Sequence, residues 1–392
     1  ETHTEHTHAQ ETYLKKTHPE KTYPKKSYKL THQFISFYIR LSDIHPMEHN
    51  MKYADLHIHS PYSTATSNHI TPEAIVLECR KKGVDIIGTG DILVEAWEAE
   101  WKRYMDTSDT SDIQILPSVE VCSINLNKQC HVLLIMGWEH IRKVRKALKD
   151  WGNLSHGRPS IYLNLHDLKD TVKSISDTIL FIPAHCLTPW YGIMGYRYSF
   201  TPEQVLSLQP DALETGLSAS REMIWSISSL QSIPLVSFSD AHRIDKIGRE
   251  VTMIPDTLTF HQSVKQKCYW TLECPPELGK YYLNGHRNCN ISSDTDTLCP
   301  ICNKLYTIGV KHIISRYKDT TPPIKDTYII PLSDILRKTR LNILNISSRE
   351  LDILSGMDIT DNSYLNNLLH NIRTKNILFK EGYDGKHGTF TI

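Results

Sequence analysis

Asp55-Leu56-His57-Ile58-His59 is the stretch on which the reading of this chain turns. Its three polar side chains occupy alternate positions, so on an extended strand Asp55, His57 and His59 share one face while Leu56 and Ile58 pack on the other. Two imidazoles on one face reach one ion, and Asp55 suits a carboxylate that orients His57 from behind. The pattern returns at Asp240-Ala241-His242, just after the apolar run 235–238. Both pairs offer oxygen or nitrogen donors suited to zinc or manganese. Further donors stand beside other short apolar runs: Asp91 after Ile86-Ile87-Gly88-Thr89-Gly90, Glu120 within Leu116-Pro117-Ser118-Val119-Glu120, His131 opening His131-Val132-Leu133-Leu134, and His185 closing Phe181-Ile182-Pro183-Ala184-His185. Taken singly, each reads equally as a capping carboxylate or a hydrogen-bonded core histidine. Together they are too many for one tetrahedral ion and point to two or three metals bridged by a carboxylate.

The surrounding pattern supplies the strands. Between residues 51 and 255, apolar runs at 54–58, 84–89, 113–121, 131–136, 178–182, 212–215 and 235–238 alternate with helical stretches. One helix is expected over 72–82, with Thr71 as cap, Pro72 in the first turn and Gly83 as stop. The class is α/β, and polar residues gathered at strand ends predict a parallel barrel or open sheet with its site at the carboxyl ends of the strands.

The 392 residues allow smaller modules beside a catalytic domain. Residues 1–50, rich in Thr, His, Lys and Glu, carry no sustained period and are expected to be a disordered leader dispensable for activity. The catalytic domain is expected over 51–255, a zinc-binding module over 256–315, and a C-terminal, DNA-contacting region over 316–392. With Lys+Arg 44 against Asp+Glu 44, any polyanion site must be a local patch. A candidate patch is Arg142, Lys143, Arg145, Lys146 and Lys149, on a helix whose apolar stripe is Ile141, Val144, Leu148 and Trp151. Its plain alternative is a solvated helix face. The sequence holds no apolar run of about 18 residues and no secretory signal pattern, so a cytoplasmic protein without a membrane partner is expected. Nine cysteines, three of them clustered near a histidine, suit a reducing compartment and metal thiolates. His286-Arg287-Asn288-Cys289 followed by Cys299-Pro300-Ile301-Cys302 is a structural zinc pattern in which two short loops each give two ligands. Cys268 and Cys274 are alternatives to His286 as the fourth ligand.

The order His-x-His, Thr-Gly-Asp, Glu, His, Pro-Ala-His and Ser-Asp-Ala-His resembles the motif series of the PHP (polymerase and histidinol phosphatase) superfamily of metal-dependent phosphoesterases. The resemblance implies a distorted (β/α) barrel with His57, His59, Asp91, Glu120, His131, His185, Asp240 and His242 as metal ligands. It implies Glu120 as the bridge, and Glu120, Asp240 and His242 as the groups nearest the chemistry. Asp91-Ile92 departs from the Asp-His that many members carry there. Clustered divalent ions stabilise the charge of phosphodiester hydrolysis and lower the pKa of a bound water, so no nucleophilic side chain is required. Cys186, adjacent to His185, is expected on the opposite strand face.

Several segments resemble the endonuclease Q family in particular. These are Thr188-Pro189-Trp190-Tyr191-Gly192, Leu213-Glu214-Thr215-Gly216-Leu217-Ser218, Ile247-Gly248-Arg249-Glu250, the zinc run from Gly285, Thr307-Ile308-Gly309-Val310 and Gly382-Tyr383-Asp384-Gly385. The resemblance implies a DNA-repair endonuclease that cuts 5′ of uracil, hypoxanthine, xanthine or abasic sites in damaged DNA. Its cofactors would be two or three Zn or Mn ions, supported by Mg, plus one structural Zn. Trp190 and Tyr191 are candidates to stack on a base taken out of the duplex, with Arg142 and Lys146 on phosphates. Core packing is the plain alternative for the aromatic pair. The competing functions are a phosphatase acting on a small phosphomonoester and a non-catalytic zinc-binding adaptor. Against the first stands the attached zinc region, and against the second the nearly full ligand set.

Overall fold

Local sequence dictates the first helix, Pro72–Lys82. The Thr71 side chain accepts the Ala74 amide hydrogen, Pro72 occupies the first turn, and Gly83 ends the helix at φ 87°, a conformation that favours glycine. The computed structural model describes residues 51–341 and 348–391. The expected leader, 1–50, lies outside the described residues.

The strands are β1 (Met51–Asp55), β2 (Ile86–Gly88), β3 (Gln114–Leu116), β4 (Ser118–Asn125), β5 (Lys128–Ile135), β6 (Ser160–Ile161), β7 (Leu180–Pro183), β8 (Leu213–Glu214), β9 (Leu235–Val236), β10 (Val251–Pro255), β11 (Trp270–Glu273), β12 (Asn284–His286), β13 (Ile291–Ser293), β14 (Thr327–Tyr328), β15 (Leu378–Lys380) and β16 (Thr389–Thr391). They form a six-stranded sheet in the order β14-β11-β10-β1-β2-β3, a four-stranded sheet β6-β4-β5-β7, and the pairs β8-β9, β12-β13 and β15-β16. The α/β class agrees with the sequence, but the all-parallel arrangement does not. Strand β1 runs parallel to β2 and antiparallel to β10, while β4-β5 and β5-β7 are antiparallel.

Among the described residues no single ladder closes a ring. Pro117, which has no N–H to donate, divides the expected strand 113–121 into β3 and β4, and these belong to different sheets. Isolated hydrogen bonds join the sheets instead, from the Ile92 amide to the Ser118 carbonyl at 3.1 Å, from Cys186 to Glu214 at 2.9 Å, and from His59 to Ala241 at 2.9 Å. Inside, Leu56, Ile86, Leu133, Ile182, Val236 and Ile254 from all three of these sheets meet in one buried apolar cluster. Each such side chain contributes about 1.5–3 kcal/mol by leaving water.

The later segments are laced onto the same framework. Strand β11 pairs with β10 and β14 with β11, so chain from 256–315 and from 316–392 extends the sheet that carries β1. The Gly382-Tyr383-Asp384-Gly385 turn lies on the β12 hairpin, where Asp384 accepts from the Arg287 amide and from Thr307 Oγ1, both at 2.6 Å. A Cβ at Gly285 would stand 2.4 Å from the Tyr383 ring, so this approach needs glycine. Among the described residues no helix is long and apolar enough to cross a membrane.

Candidate metal centre

Strand ends deliver His57, His59, His185 and Asp240, whereas Glu120 and His131, expected at strand ends, lie inside the antiparallel pair β4 and β5. Asp91, His185 and Asp240 follow apolar strands and turn the chain there with φ of 49°, 32° and 46°, left-handed conformations that non-glycine residues rarely adopt. Such strain persists where packing over-determines it, commonly at functional sites.

Two donor triples result, His57 with His59 and Asp240, and Glu120 with His131 and His185, the ligand atoms of each lying within 4.8 Å of one another. Glu120 joins them. Its Oε1 is 2.8 Å from His131 Nδ1, 3.1 Å from His185 Nε2 and 3.6 Å from His57 Nε2, and its Oε2 is 3.5 Å from His59 Nε2. The Nε2 atoms of His57 and His59 are fully buried and make no aligned hydrogen bond, with Asp240 Oδ1 3.2 Å from His59 Nε2 and 3.6 Å from His57 Nε2. Buried nitrogens of this kind are costly unless something binds them, and with the facing carboxylates they fit divalent cations.

The groups behind these ligands differ in part from expectation. His57 Nδ1 is held by Glu214, at 2.8 and 3.0 Å, and the same carboxylate accepts the His185 amide at 2.8 Å. Asp55, expected in that role, instead accepts the Ser239 and Gly248 amides at 3.0 and 2.8 Å and ties down the Asp240 loop. Burial pushes Asp55 up to about 6. Asp91 stands behind His59 and outside both triples, with Oδ2 taking the Ser60 amide and hydroxyl and Oδ1 lying 3.3 Å from His59 Nδ1. His242 lies at the rim, its ring 4.4 Å from that of His59 and its Nδ1 3.0 Å from the Asp240 carbonyl oxygen. Two groups in contact with these donors escaped sequence reasoning. One is Glu214, whose position at the end of an expected strand was the available signal. The other is Arg158, whose Nη1 is 3.1 Å from Glu120 Oε2.

Proton affinities follow from the crowding of charge. Burial alone lowers the His57 and His59 pKa values. Around His57 the charges of Glu214, Glu120 and Asp240 outweigh burial and hold it well above the usual value, and Asp240 and Asp91 bring His59 up to about 9. Burial opposes ionisation of Asp240, but His57 and His59 hold it well below the usual range. The centre thus draws positive charge, and cation binding would release protons from the imidazoles. Cys186 is fully buried and its thiol is pushed up by burial, which suits packing and not nucleophilic attack.

His286, Cys289, Cys299 and Cys302 form a separate group with ligand atoms within 4.8 Å of one another. Cys274 lies elsewhere, its Sγ 3.3 Å from the Arg249 carbonyl oxygen, and neither it nor Cys268 joins the group. Burial raises the Cys299 thiol, yet hydrogen bonds from the Cys302 amide and His286 bring it down to about 6, the thiolate form that metals take.

Tyr191 stacks on His131, ring centroids 4.1 Å apart and planes 6° apart. It walls a cavity of about 420 Å³ with Tyr62, Gln129, His131, Arg158 and Tyr162. Trp190 is engaged away from that cavity, beneath the Arg197 guanidinium at 5.2 Å. Arg142 and Lys146 are exposed on the helix Ile141–Leu148, and Trp151, expected on its apolar stripe, is 46% exposed.

No family model matches the chain. It is 26% identical over 307 residues to uncharacterized protein YqxK of Bacillus subtilis, spanning 68% of this chain and 77% of that protein. Over 137 residues it is 30% identical to uncharacterized protein MJ0043 of Methanocaldococcus jannaschii, 34% of this chain and 16% of that protein. The fold superposes on the lesion-specific endonuclease PfuEndoQ of Pyrococcus furiosus with a TM-score of 0.74 and 26% identity, covering 88% of this chain and 96% of that one. It superposes equally on endonuclease Q in complex with a 27-mer duplex substrate carrying an abasic lesion at the active site, with a TM-score of 0.75, 26% identity, and coverage of 88% and 97%. The chain is therefore close to endonuclease Q in fold along nearly the whole of that enzyme.

Proposed function

We propose that this relative of endonuclease Q is a metal-dependent DNA-repair endonuclease that hydrolyses the phosphodiester 5′ of a deaminated base or abasic site. The observation that carries the reading is the pair of donor triples joined by Glu120, with two buried imidazole nitrogens that make no aligned hydrogen bond between the carboxylates. The apolar cluster shared by three sheets supports reading the catalytic part as a distorted barrel with these donors at its rim.

His57, His59 and Asp240 would hold one Zn or Mn ion, and His131 and His185 another, with Glu120 between them. Bound there, such ions supply an activated water and stabilise charge on the phosphoryl oxygens. The chain's own groups do the rest. Glu214 and Asp91 fix the two imidazoles so that Nε2 of each faces inward. Arg158 offsets the Glu120 charge at the wall of the cavity. His242, at the rim with its side chain 30% exposed, is the group we assign to proton transfer at the leaving oxygen. The Cys₃His group would hold a structural Zn, with no open position for chemistry.

The test is cleavage of end-labelled duplexes with one uracil, hypoxanthine, xanthine or abasic site, in Mn, Zn or Mg. Expected is a single cut 5′ of the lesion that Asp240→Asn abolishes. Turnover of p-nitrophenyl phosphate or histidinol phosphate without any duplex cleavage would overturn the reading in favour of a phosphomonoesterase.

A further inference from the structure

The 420 Å³ cavity beside His131 and Arg158 adjoins a second one of about 790 Å³, and Tyr62 and Asn153 belong to the walls of both. Together they form a groove that leaves the donor cluster past His131 and runs to the helix Ile141–Leu148, where Arg142, Lys146 and Lys149 line it. Burial of Ile141, Val144 and Leu148 fixes which side of this helix faces out.

The five cations around this helix are not equivalent. Arg145 donates from Nε to the Leu93 carbonyl at 3.0 Å and from Nη2 to the Ile92 carbonyl at 3.2 Å and to Glu98 at 2.6 Å. It fastens the helix to the loop after Asp91, and its charge is spent there. Lys143 is exposed but does not line the groove. Arg142, Lys146 and Lys149 are exposed along the groove wall, and among the described residues their side chains have no ion-pair partner. At about 1.5 Å per residue they span roughly 10.5 Å of helix axis. Phosphates on one strand of a duplex advance about 3.4 Å per step, so the same span covers about three steps.

We propose that this groove holds the phosphate backbone of one DNA strand, on one side of the scissile phosphate, through Arg142, Lys146 and Lys149. The inference rests on the endonuclease reading and adds a direction to it. Because the groove leaves the centre past His131 and Arg158, its contacts are asymmetric about the cut.

The test uses the full chain and the triple variant Arg142→Gln/Lys146→Gln/Lys149→Gln, with duplex affinity measured against salt. Three lost phosphate contacts should make the slope of log K on log salt shallower by about 2.7, at about 0.9 per contact. Lys143→Gln, on the same helix outside the groove, should leave the slope unchanged. Duplexes shortened on one flank of the lesion should bind the parent more weakly than those shortened on the other, and the triple variant should lose that difference. An unchanged slope in the triple variant, or equal losses from the two flanks in the parent, overturns the groove even where lesion cleavage persists. Conversely, lesion duplexes that the parent binds with the flank asymmetry and the salt slope lost in the triple variant, yet never cuts, would sink the endonuclease reading and leave the groove standing.

Discussion

Glu214→Gln is the most direct probe of how the centre is held. The carboxylate makes contacts of 2.8 and 3.0 Å to His57 Nδ1 and 2.8 Å to the His185 amide, so one side chain braces a ligand in each triple. It is 1% exposed, and its charge heads the influences that raise His57 against burial. Glutamine keeps the shape and one acceptor but removes the charge and sets an amide donor against one of the two N–H groups. Loss of a carboxylate behind a metal-bound imidazole typically costs 10–100-fold in metal affinity or activity, about 1.4–2.7 kcal/mol. Calorimetric titration of the metal-free chain with Mn should show that loss. Cleavage as a function of Mn concentration should shift by the same factor, and the metal-free melting temperature should fall as well, because the buried His57 imidazolium loses the carboxylate paired with it. A Mn affinity within twofold of the parent would refute the reasoning, because His57 would then be oriented without Glu214.

Three further outcomes are expected. Cys299→Ser with Cys302→Ser should release one tightly held zinc per chain and loosen residues 285–310, read by metal analysis and proteolysis, since the binding energy of a structural zinc is largely local folding energy; a full zinc complement would contradict the assignment of these ligands. Gly157→Ala should weaken metal binding, because a Cβ there would stand 2.4 Å from both Asp91 Oδ2 and Ser63 Oγ and push Asp91 off His59; an unaltered Mn titration would count against it. Burial raises the fully buried Glu250 from 4.5 to about 8, so its contribution is complete below about pH 4.5 and is lost as pH rises towards 8, where the unfolded chain alone is ionised. Glu250→Gln should therefore flatten the fall in melting temperature across that window and be the more stable form at pH 9; parallel curves for variant and parent would show that Glu250 ionises normally in the fold.

Four of the six donors were legible from local facts, because His57 and His59 alternate just past β1 while His185 and Asp240 follow the ends of their strands. Glu120 and His131, expected at strand ends, instead sit inside β4 and β5, where antiparallel pairing carries each strand past the donor. The helix Pro72–Lys82 was equally legible from its own cap, proline and glycine. What lies behind each donor was not. Glu214 reaches His57 across 157 residues of sequence, while Asp55, two residues from His57, turns to the Ser239 and Gly248 amides. Asp91 shares the strand-end signature of Asp240, yet the Ser60 amide and hydroxyl hold it one layer back. The even row of cations from Arg142 to Lys149 separates into a spent Arg145 and a free groove wall only when the Asp91 loop packs against the helix. Whether the strands closed one ladder also depended on packing, because Pro117 moves the chain between sheets that are then joined by single hydrogen bonds. Backbone periodicity fixes the direction a side chain leaves its own strand, and that is written in neighbouring residues. The partner it meets belongs to another strand, and only the tertiary structure decides which one.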